Sequence, residues 1–444
     1  MSTVDQKLTI NDRLSPQVLK DGEPAWLTEL RQQAWETFLR LPLPSTKEED
    51  WRRFDLRGFR WEDYHLATPP PYTVVSSVQQ LPDPIQSQLR PADADQWAGL
   101  MVFHGPRRVF SYLSEAARAK GVLMDELTTD QPTDIVWQSH LHALIRPDTS
   151  KFVAAHAALM NAGVVVVIPP KLVLEKPLHL FFWLDEPGAA LFDHILVIAR
   201  RDSQVTVVLH YASPENLPSG LHSSGLELYA EPGAAVNILC LEEWSKSLYD
   251  FQFLRGRLDQ DAYLKWSLAN FGARMKRLDV HSQLAGRGAS TDMLSLTIAD
   301  QNQHIEHHTL QEHVKENCKS DLLFKVVLLD RSSSVYRGMI RVHPKAQGTD
   351  AYQANRNLLL SSNARADSMP LLEIQANEVR CTHGATISRL DELQLFYLMS
   401  RGLPKRLAEK IVVDGFLQPV LDRFPVPIVS DKIRRLWENK ISGR

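Results

Sequence analysis

Residues 349–360 read Thr-Asp-Ala-Tyr-Gln-Ala-Asn-Arg-Asn-Leu-Leu-Leu. In an extended chain alternate side chains point to opposite faces, so Gln353, Asn355 and Asn357 share one face and Tyr352, Ala354 and Arg356 the other. A row of carboxamides suits a solenoid, where amides on successive coils can bond along the stack. Taken alone, the ordinary reading of such a row is a solvated strand face.

Working outward, the same texture extends from about residue 100 to 388. Short apolar, β-branched runs recur, among them Val164–Ile168, Leu178–Trp183, His194–Ala199, Val205–Tyr211, Ala235–Leu241, Met293–Ile298 and Leu322–Leu329. Turn signals separate them: Glu231-Pro232-Gly233, Gly286-Arg287-Gly288 and Gly348-Thr349-Asp350. The spacing predicts a mainly β body, and a sandwich, a barrel and a solenoid all fit it. Helical periodicity inside it is confined to Glu115–Leu127 and Lys151–Ala162.

The flanks are helical. Trp26, Leu27, Leu30, Ala34, Trp35, Phe38 and Leu39 form one apolar stripe that Pro42 and Pro44 end, and Ser45–Glu49 resembles a second helix start. The Pro-, Ser- and Gln-rich run 69–91 reads as a linker or an extended crossing. After residue 388, Asp391 with Gln394 fits a capping box, and Leu393, Phe396, Tyr397 and Ser400 share a helix face closed by Gly402. Pro404 restarts a helix through Leu407, Ala408 and Ile411, and Ser430 caps a last one carrying Ile433, Leu436, Trp437 and Ile441. The expected organisation is an N-terminal helical region with linker (1–100), a β core (101–388) and a C-terminal helical domain (389–444).

Composition narrows the function classes. The 444 residues carry 50 Lys+Arg against 53 Asp+Glu, a formal net charge of −3. That balance removes the electrostatic case for nucleic acid or an anionic membrane as partner. Cys240, Cys318 and Cys381 are too few and too scattered for a disulfide framework or a zinc ribbon, so no self-contained metal site is expected, and sparse thiols suit a reducing compartment. The first 22 residues lack an apolar stretch and carry Asp5, Asp12 and Asp21, which argues against a leader and for the cytoplasm.

Phosphate-binding and nucleophile-elbow motifs are absent from the sequence, so ATP hydrolysis and serine-hydrolase chemistry are not expected of this chain. The histidine row His304, His307, His308 and His313 invites a metal. In a strand at roughly 3.3 Å per residue, however, His304 and His308 stand about 13 Å apart with His307 on the opposite face. The segment Arg380–Thr386 is more suggestive. If extended, Cys381 and His383 project to one face, offering a thiol and an imidazole, both acceptable to iron. Two ligands do not complete a site, and a buried Cys with a hydrogen-bonded His is the ordinary alternative.

The stretch from Arg341 to Leu403, with RVHPKAQGTDAYQANRNLLL and EVRCTHGATISRLDELQLFYL, closely resembles the SufB/SufD family of iron–sulfur cluster assembly proteins, and GFLQPVLDRF (415–424) extends the likeness. Within that family the chain is similar to the SufD branch. SufB chains carry a cysteine in a Cys-Gly-Ala-His-Thr-x-Pro-type segment, where this chain reads Ala364-Arg365-Ala366-Asp367-Ser368-Met369-Pro370. The resemblance implies a right-handed parallel β-helix flanked by N-terminal and C-terminal α-helical domains, and a non-catalytic scaffold role in the SufBCD complex. It implies a heterodimer with SufB, with His383, and Cys381 beside it, at an interface that holds a transient iron–sulfur cluster; the chain alone would hold none stably, and use of a flavin stays open. The ATPase SufC would dock on the C-terminal helices, with Phe396, Tyr397 and Leu403 as apolar contacts and Arg401 at the rim. Whether the isolated chain forms a homodimer through the surface meant for SufB stays open. The alternative class is a secreted-type β-helix enzyme acting on polysaccharide.

Overall fold

The apolar runs of the central region each fold as one strand, and successive strands alternate between two sheets in this computed structural model, which describes residues 13–19, 23–89, 96–127 and 138–442. Residues 1–12 and 20–22, on which the leader reading rests, fall outside them. The first sheet runs in spatial order β4 (Leu123–Glu126), β5 (Ala162–Ile168), β7 (Ala189–Ala199), β9 (Gly220–Ala230), β11 (Leu248–Leu258), β13 (Met275–Leu284), β15 (His304–His313), β17 (Ser333–Val342) and β19 (Arg365–Ile374), with β1 (His65–Leu66) beside β7. The second runs β3 (Arg107–Leu113), β2 (Gly99–His104), β6 (Leu178–Trp183), β8 (Gln204–Ala212), β10 (Ala235–Glu243), β12 (Tyr263–Asn270), β14 (Ser290–Ala299), β16 (Lys319–Leu328), β18 (Thr349–Leu359) and β20 (Val379–Arg389). Among the described residues only the pairs β2–β3 and β4–β5, at the first end, are antiparallel; all other ladders are parallel. The result is a right-handed parallel β-helix of about 8 turns with helices at both ends of the chain.

One corner of every coil has a common cause. Lys171, Asp202, Gly233, Asp261, Gly288, Asn317 and Gly348 all have positive φ. From Lys171 to Asn317, the backbone N–H of each donates to the residue preceding its counterpart on the next coil, for example Asp202 to Pro232 at 3.0 Å and Gly288 to Glu316 at 3.1 Å. From Asp202 onward the column alternates Asx and Gly. A Cβ on Gly233 or Gly288 would lie 2.2 Å from the Oδ1 of Asp202 or Asp261, and one on Gly348 2.4 Å from that of Asn317. Asx tolerates the left-handed conformation and glycine makes room for its side chain, so the two residue types interlock along the stack.

Inside, the coils are filled mainly by aliphatic and aromatic side chains, from Val164 and Leu180 to Trp266 and Phe324, around a few buried charged groups. The later coils carry polar groups inward, which corrects the solvated reading of residues 353–357. Gln353, Asn355 and Asn357 are buried. Gln353 accepts from the Tyr336 hydroxyl (3.1 Å) and donates to the Leu371 carbonyl (3.2 Å); Asn357 donates to Asn355 Oδ1 (2.7 Å) and to the Thr386 carbonyl (3.2 Å). These amides bond within their strand, to the Tyr336 hydroxyl and to neighbouring backbone, not to an amide ladder on successive coils.

Helix α1 (Ala25–Arg40) covers the outer face of the first sheet, where Phe38, Trp51, Phe54, Phe59 and Trp61 pack on Phe152, Phe192 and Phe251. Lys151 caps α1 by donating to the carbonyls of Phe38 and Leu41, its ammonium 4.2 Å over the Phe38 ring. The expected second helix start at Ser45 is a turn leading into a 3-10 segment, Glu49–Trp51. Residues 69–89 include α2 (Asp83–Gln88), whose Ile85 packs with Leu81 and Leu89 against Val102 and Phe181. They cover the second sheet and are not a free linker; Arg90 and Pro91 fall outside the described residues. The Glu115–Leu127 expectation divides into α3 (Glu115–Ala119) and strand β4, because Gly121 turns with φ 82 between them. Helix α4 (Lys151–Leu159) is buried throughout.

After β20 come α5 (Glu392–Ser400), α6 (Lys405–Leu421) and α7 (Pro427–Ser442). Val413, Leu417, Val420, Ile433 and Trp437 bury the outer face of the second sheet against Leu239, Leu294 and Val327. Lys432–Glu243 (2.7 Å) and Lys440–Asp300 (3.2 Å) hold α7 to the coils. The side chain of Ile441 falls outside the described residues. Among the described residues no helix is long and apolar enough to cross a membrane.

Candidate functional site

The β-helix is closed at its first end and open at its last. β19 pairs only with β17 and β20 only with β18, so each leaves a free edge of backbone donors and acceptors. Buried strands elsewhere give way here to half-buried and exposed ones, with Leu372, Ile374 and Ile387 (49% exposed) open to solvent. Unpaired edges and apolar side chains on one end of a molecule are a template for pairing with another chain.

Cys381 and His383 stand on this last strand. In-register pairing sets Cys381 beside Ala351 and His383 beside Gln353, both inward-facing buried residues, so the i, i+2 pair shares the inward face as the alternation predicts. With no further coil above them, Cys381 is half-buried and His383 exposed. Cys381 packs against the small cluster of Ile340, Val342, Ala351 and Ala376. Burial, and then the charge of Asp350, push its thiol up, away from the thiolate form. The segment 364–370 runs into the neighbouring edge strand β19, where Asp367 is tied to the N-terminal region by Arg53 (2.9 Å).

Asp391 starts α5 by accepting from the N–H groups of Leu393 (2.8 Å) and Gln394 (3.4 Å). None of its residues is buried: Leu393 is 77%, Phe396 69% and Tyr397 57% exposed. The aromatic pair therefore does not pack onto the end of the β-helix. Arg401 lies over the Tyr397 ring at 5.3 Å, Leu403 is half-buried in the link to α6, and Leu407 and Ile411 on α6 extend the exposed apolar surface.

The histidine row falls in a regular strand, β15. His304 and His308 share the outer face, each beside Glu306 (3.4 and 3.0 Å), while His307 points inward to Thr297 at 3.1 Å. Glu306 is driven up by burial and down, more strongly, by the two imidazoles, to about 2.

Residue-by-residue reading missed a buried ionic line inside the coils. His222 bridges Asp193 (2.6 Å) and Asp250 (2.7 Å), Lys276 donates to Asp250, and Glu242 lies 3.7 Å from Lys276. All five are fully buried. The signal available was only that each of these residues stands at the inward parity of its strand, as Asp193 does between Leu191 and Ile195.

A family model for the SUF system FeS cluster assembly SufBD core domain matches residues 182–416, more than half of the chain. The chain is 28% identical over 425 residues to iron–sulfur cluster assembly protein SufD of Bacillus subtilis, covering 95% of both chains. It is 24% identical over 427 residues to SufB of the same organism, and 23% over 428 residues to a SufBD family protein of Staphylococcus aureus, covering 95% of this chain and 90% of each relative. The coils, the open last turn and these matches agree: the chain belongs to the SufBD core family of the SUF system and has a role in iron–sulfur cluster assembly.

Proposed function

We propose that the chain is the SufD-type, non-catalytic scaffold subunit of a SufBCD complex. The open last coil with His383 on its uncovered face carries this reading. A SufB-type β-helix presenting matching edges would extend both sheets across the interface by strand addition and cover Leu372, Ile374 and Ile387. His383 then supplies one imidazole nitrogen opposite the partner's cysteine. Iron accepts both ligand types, and the nascent cluster is cargo at the shared surface. Cys381, with its thiol pushed up, is the lesser contributor. The absence of the SufB-type cysteine from 364–370 fits a subunit that leaves persulfide sulfur to its partner.

The exposed face of α5, with Phe396 and Tyr397, and the link after it, with Leu403 and with Arg401 at the rim, form the docking surface for SufC. Helix α6 packs on β14 and β16, and Arg423 joins it to Asp321 (2.7 Å) and Asp292 (3.2 Å). Movement of α5–α6 on nucleotide binding by SufC would reach the second sheet, whose last strand bears His383. The test is reconstitution with SufB and SufC. His383→Ala should leave the complex intact on gel filtration and slow cluster assembly at least about tenfold, the loss of about 1.4 kcal/mol. An unchanged rate would reject the ligand role of His383, and failure of the wild-type chain to co-purify with SufB would reject the scaffold reading.

A further inference from the structure

We propose that the chain holds one divalent cation of the zinc type in a closed site beneath α4, far in sequence from the last coil, with His142, His194 and Glu227 as ligands. One potential ligand atom from each residue lies within 4.8 Å of the others, and all three residues are buried. His194 and Glu227 project from the outer faces of β7 and β9, and the segment 138–146 lays His142 over them. At zinc–ligand lengths of about 2.0–2.2 Å, tetrahedral neighbours stand about 3.3–3.5 Å apart. His194 Nε2 and Glu227 Oε2 are already 3.1 Å apart.

The orientation of each group suits a cation. His142 Nδ1 faces the Ile145 carbonyl at 3.3 Å, which places its proton there and leaves a lone pair on Nε2. That Nε2 is buried without a hydrogen-bond partner. His194 Nδ1 meets His156 Nε2 at 3.1 Å, and His156 Nδ1 meets Ser223 Oγ at 3.2 Å, a relay able to take the Nδ1 proton while His194 Nε2 ligates. Glu227 is fixed by the N–H groups of His142, Leu144 and Ile145 (2.9 Å for Ile145). Space for the imidazole pair depends on Gly225, where a Cβ would fall 2.5 Å from His156 Nε2 and 2.6 Å from His194 Nδ1. Arg31, whose field reaches His142, is paired with Glu23 at 2.7 Å.

Two imidazoles and a carboxylate, without a thiolate, select zinc over soft monovalent copper, and over calcium or magnesium, which want oxygen. Water fills the fourth position. The cation would staple the segment 138–146 and α4 to the β-helix, a role separate from cluster assembly.

The experiment uses the tag-free full chain, stripped by chelator and titrated with Zn2+ alone and with Co2+ alone. One equivalent should resist a competing chelator, and cobalt should give the intense visible bands of four-coordination. His142→Gln should weaken the equivalent more than about tenfold, and His156→Gln about 10–100-fold. His383→Ala and Cys381→Ser should keep it, which separates this site from the interface. Absence of a tight equivalent in the wild-type chain, or its survival in His142→Gln, overturns the proposal. Should His142→Gln fail to fold, X-ray absorption of the wild-type cobalt form decides: two imidazoles and no sulfur are expected, and a sulfur ligand refutes the site.

Discussion

Lys276 is a fully buried cation. It lies between Asp250 and Glu242, and its charge is retained because Asp250, then Glu242, outweigh the burial that would lower it. Replacing it by methionine leaves Asp250 with only His222 and Gln252 for partners, and such a loss costs about 3–5 kcal/mol; chemical denaturation should show a midpoint lowered to match. His222 carries the pH dependence. Burial alone would lower it, but Asp193 and Asp250 outweigh burial and lift it to about 9. A folded-state value above the ordinary 6.5 means that its contribution is complete below pH 6.5 and is lost as pH rises through about 9. The melting temperature should therefore fall across that window, and His222→Gln should flatten the fall; an unchanged slope would place the effect elsewhere.

The corners and the exposed helix make opposite demands on their glycines and apolar side chains. Gly288 has φ 73 and touches the Asp261 carboxylate, so Gly288→Ala should destabilise by more than about 1 kcal/mol. Gly415, inside α6 with nothing within 4 Å of a Cβ, should gain about 0.4–1 kcal/mol as alanine. Paired thermal melts of the two variants check the contrast. On α5, Phe396→Asp should abolish SufC binding in a pull-down while leaving the melt nearly unchanged, since Phe396 is largely exposed; wild-type binding by that variant would move the docking surface.

The β-helix as a whole is asymmetric. Its first end is closed by the antiparallel hairpin β2–β3 and by β4, and its last end exposes two strand edges with Leu372, Ile374 and Ile387. Repeat architectures need their ends covered, and the proposed SufB-type partner would be that cover. In the absence of SufB the purified chain should dimerise with rising concentration in analytical ultracentrifugation. Ile387→Lys should shift it to monomer with stability changed by less than about 0.5 kcal/mol. A wild-type chain monomeric at all concentrations would remove this surface from the account.

At the same scale, local pattern was enough for the strands with clear apolar runs and for the presence of the end helices, though not for the start of the last one, which begins at Pro427 and takes in Ser430. Alternation in 349–360 and the Trp26–Leu39 stripe are properties of neighbouring residues, and they survive in the fold as β18 and α1. The i, i+2 placement of Cys381 and His383 is equally local. Which way a face looks is not. Alternation is the same in a sandwich and a β-helix, so the Gln353–Asn357 face turned inward only because successive coils close around it. The corner repeat was hidden because its members alternate between Asx and Gly at steps of 27 to 31 residues from Asp202 to Gly348. Glu227 meets His142 across 85 residues, and the exposure of His383 follows from the stack stopping one coil short of covering it. Sequence by itself determined the alternating β texture of the central region and the family likeness. Tertiary structure alone decided inside from outside and which distant residues meet, because both depend on how many coils stack and where the stacking ends.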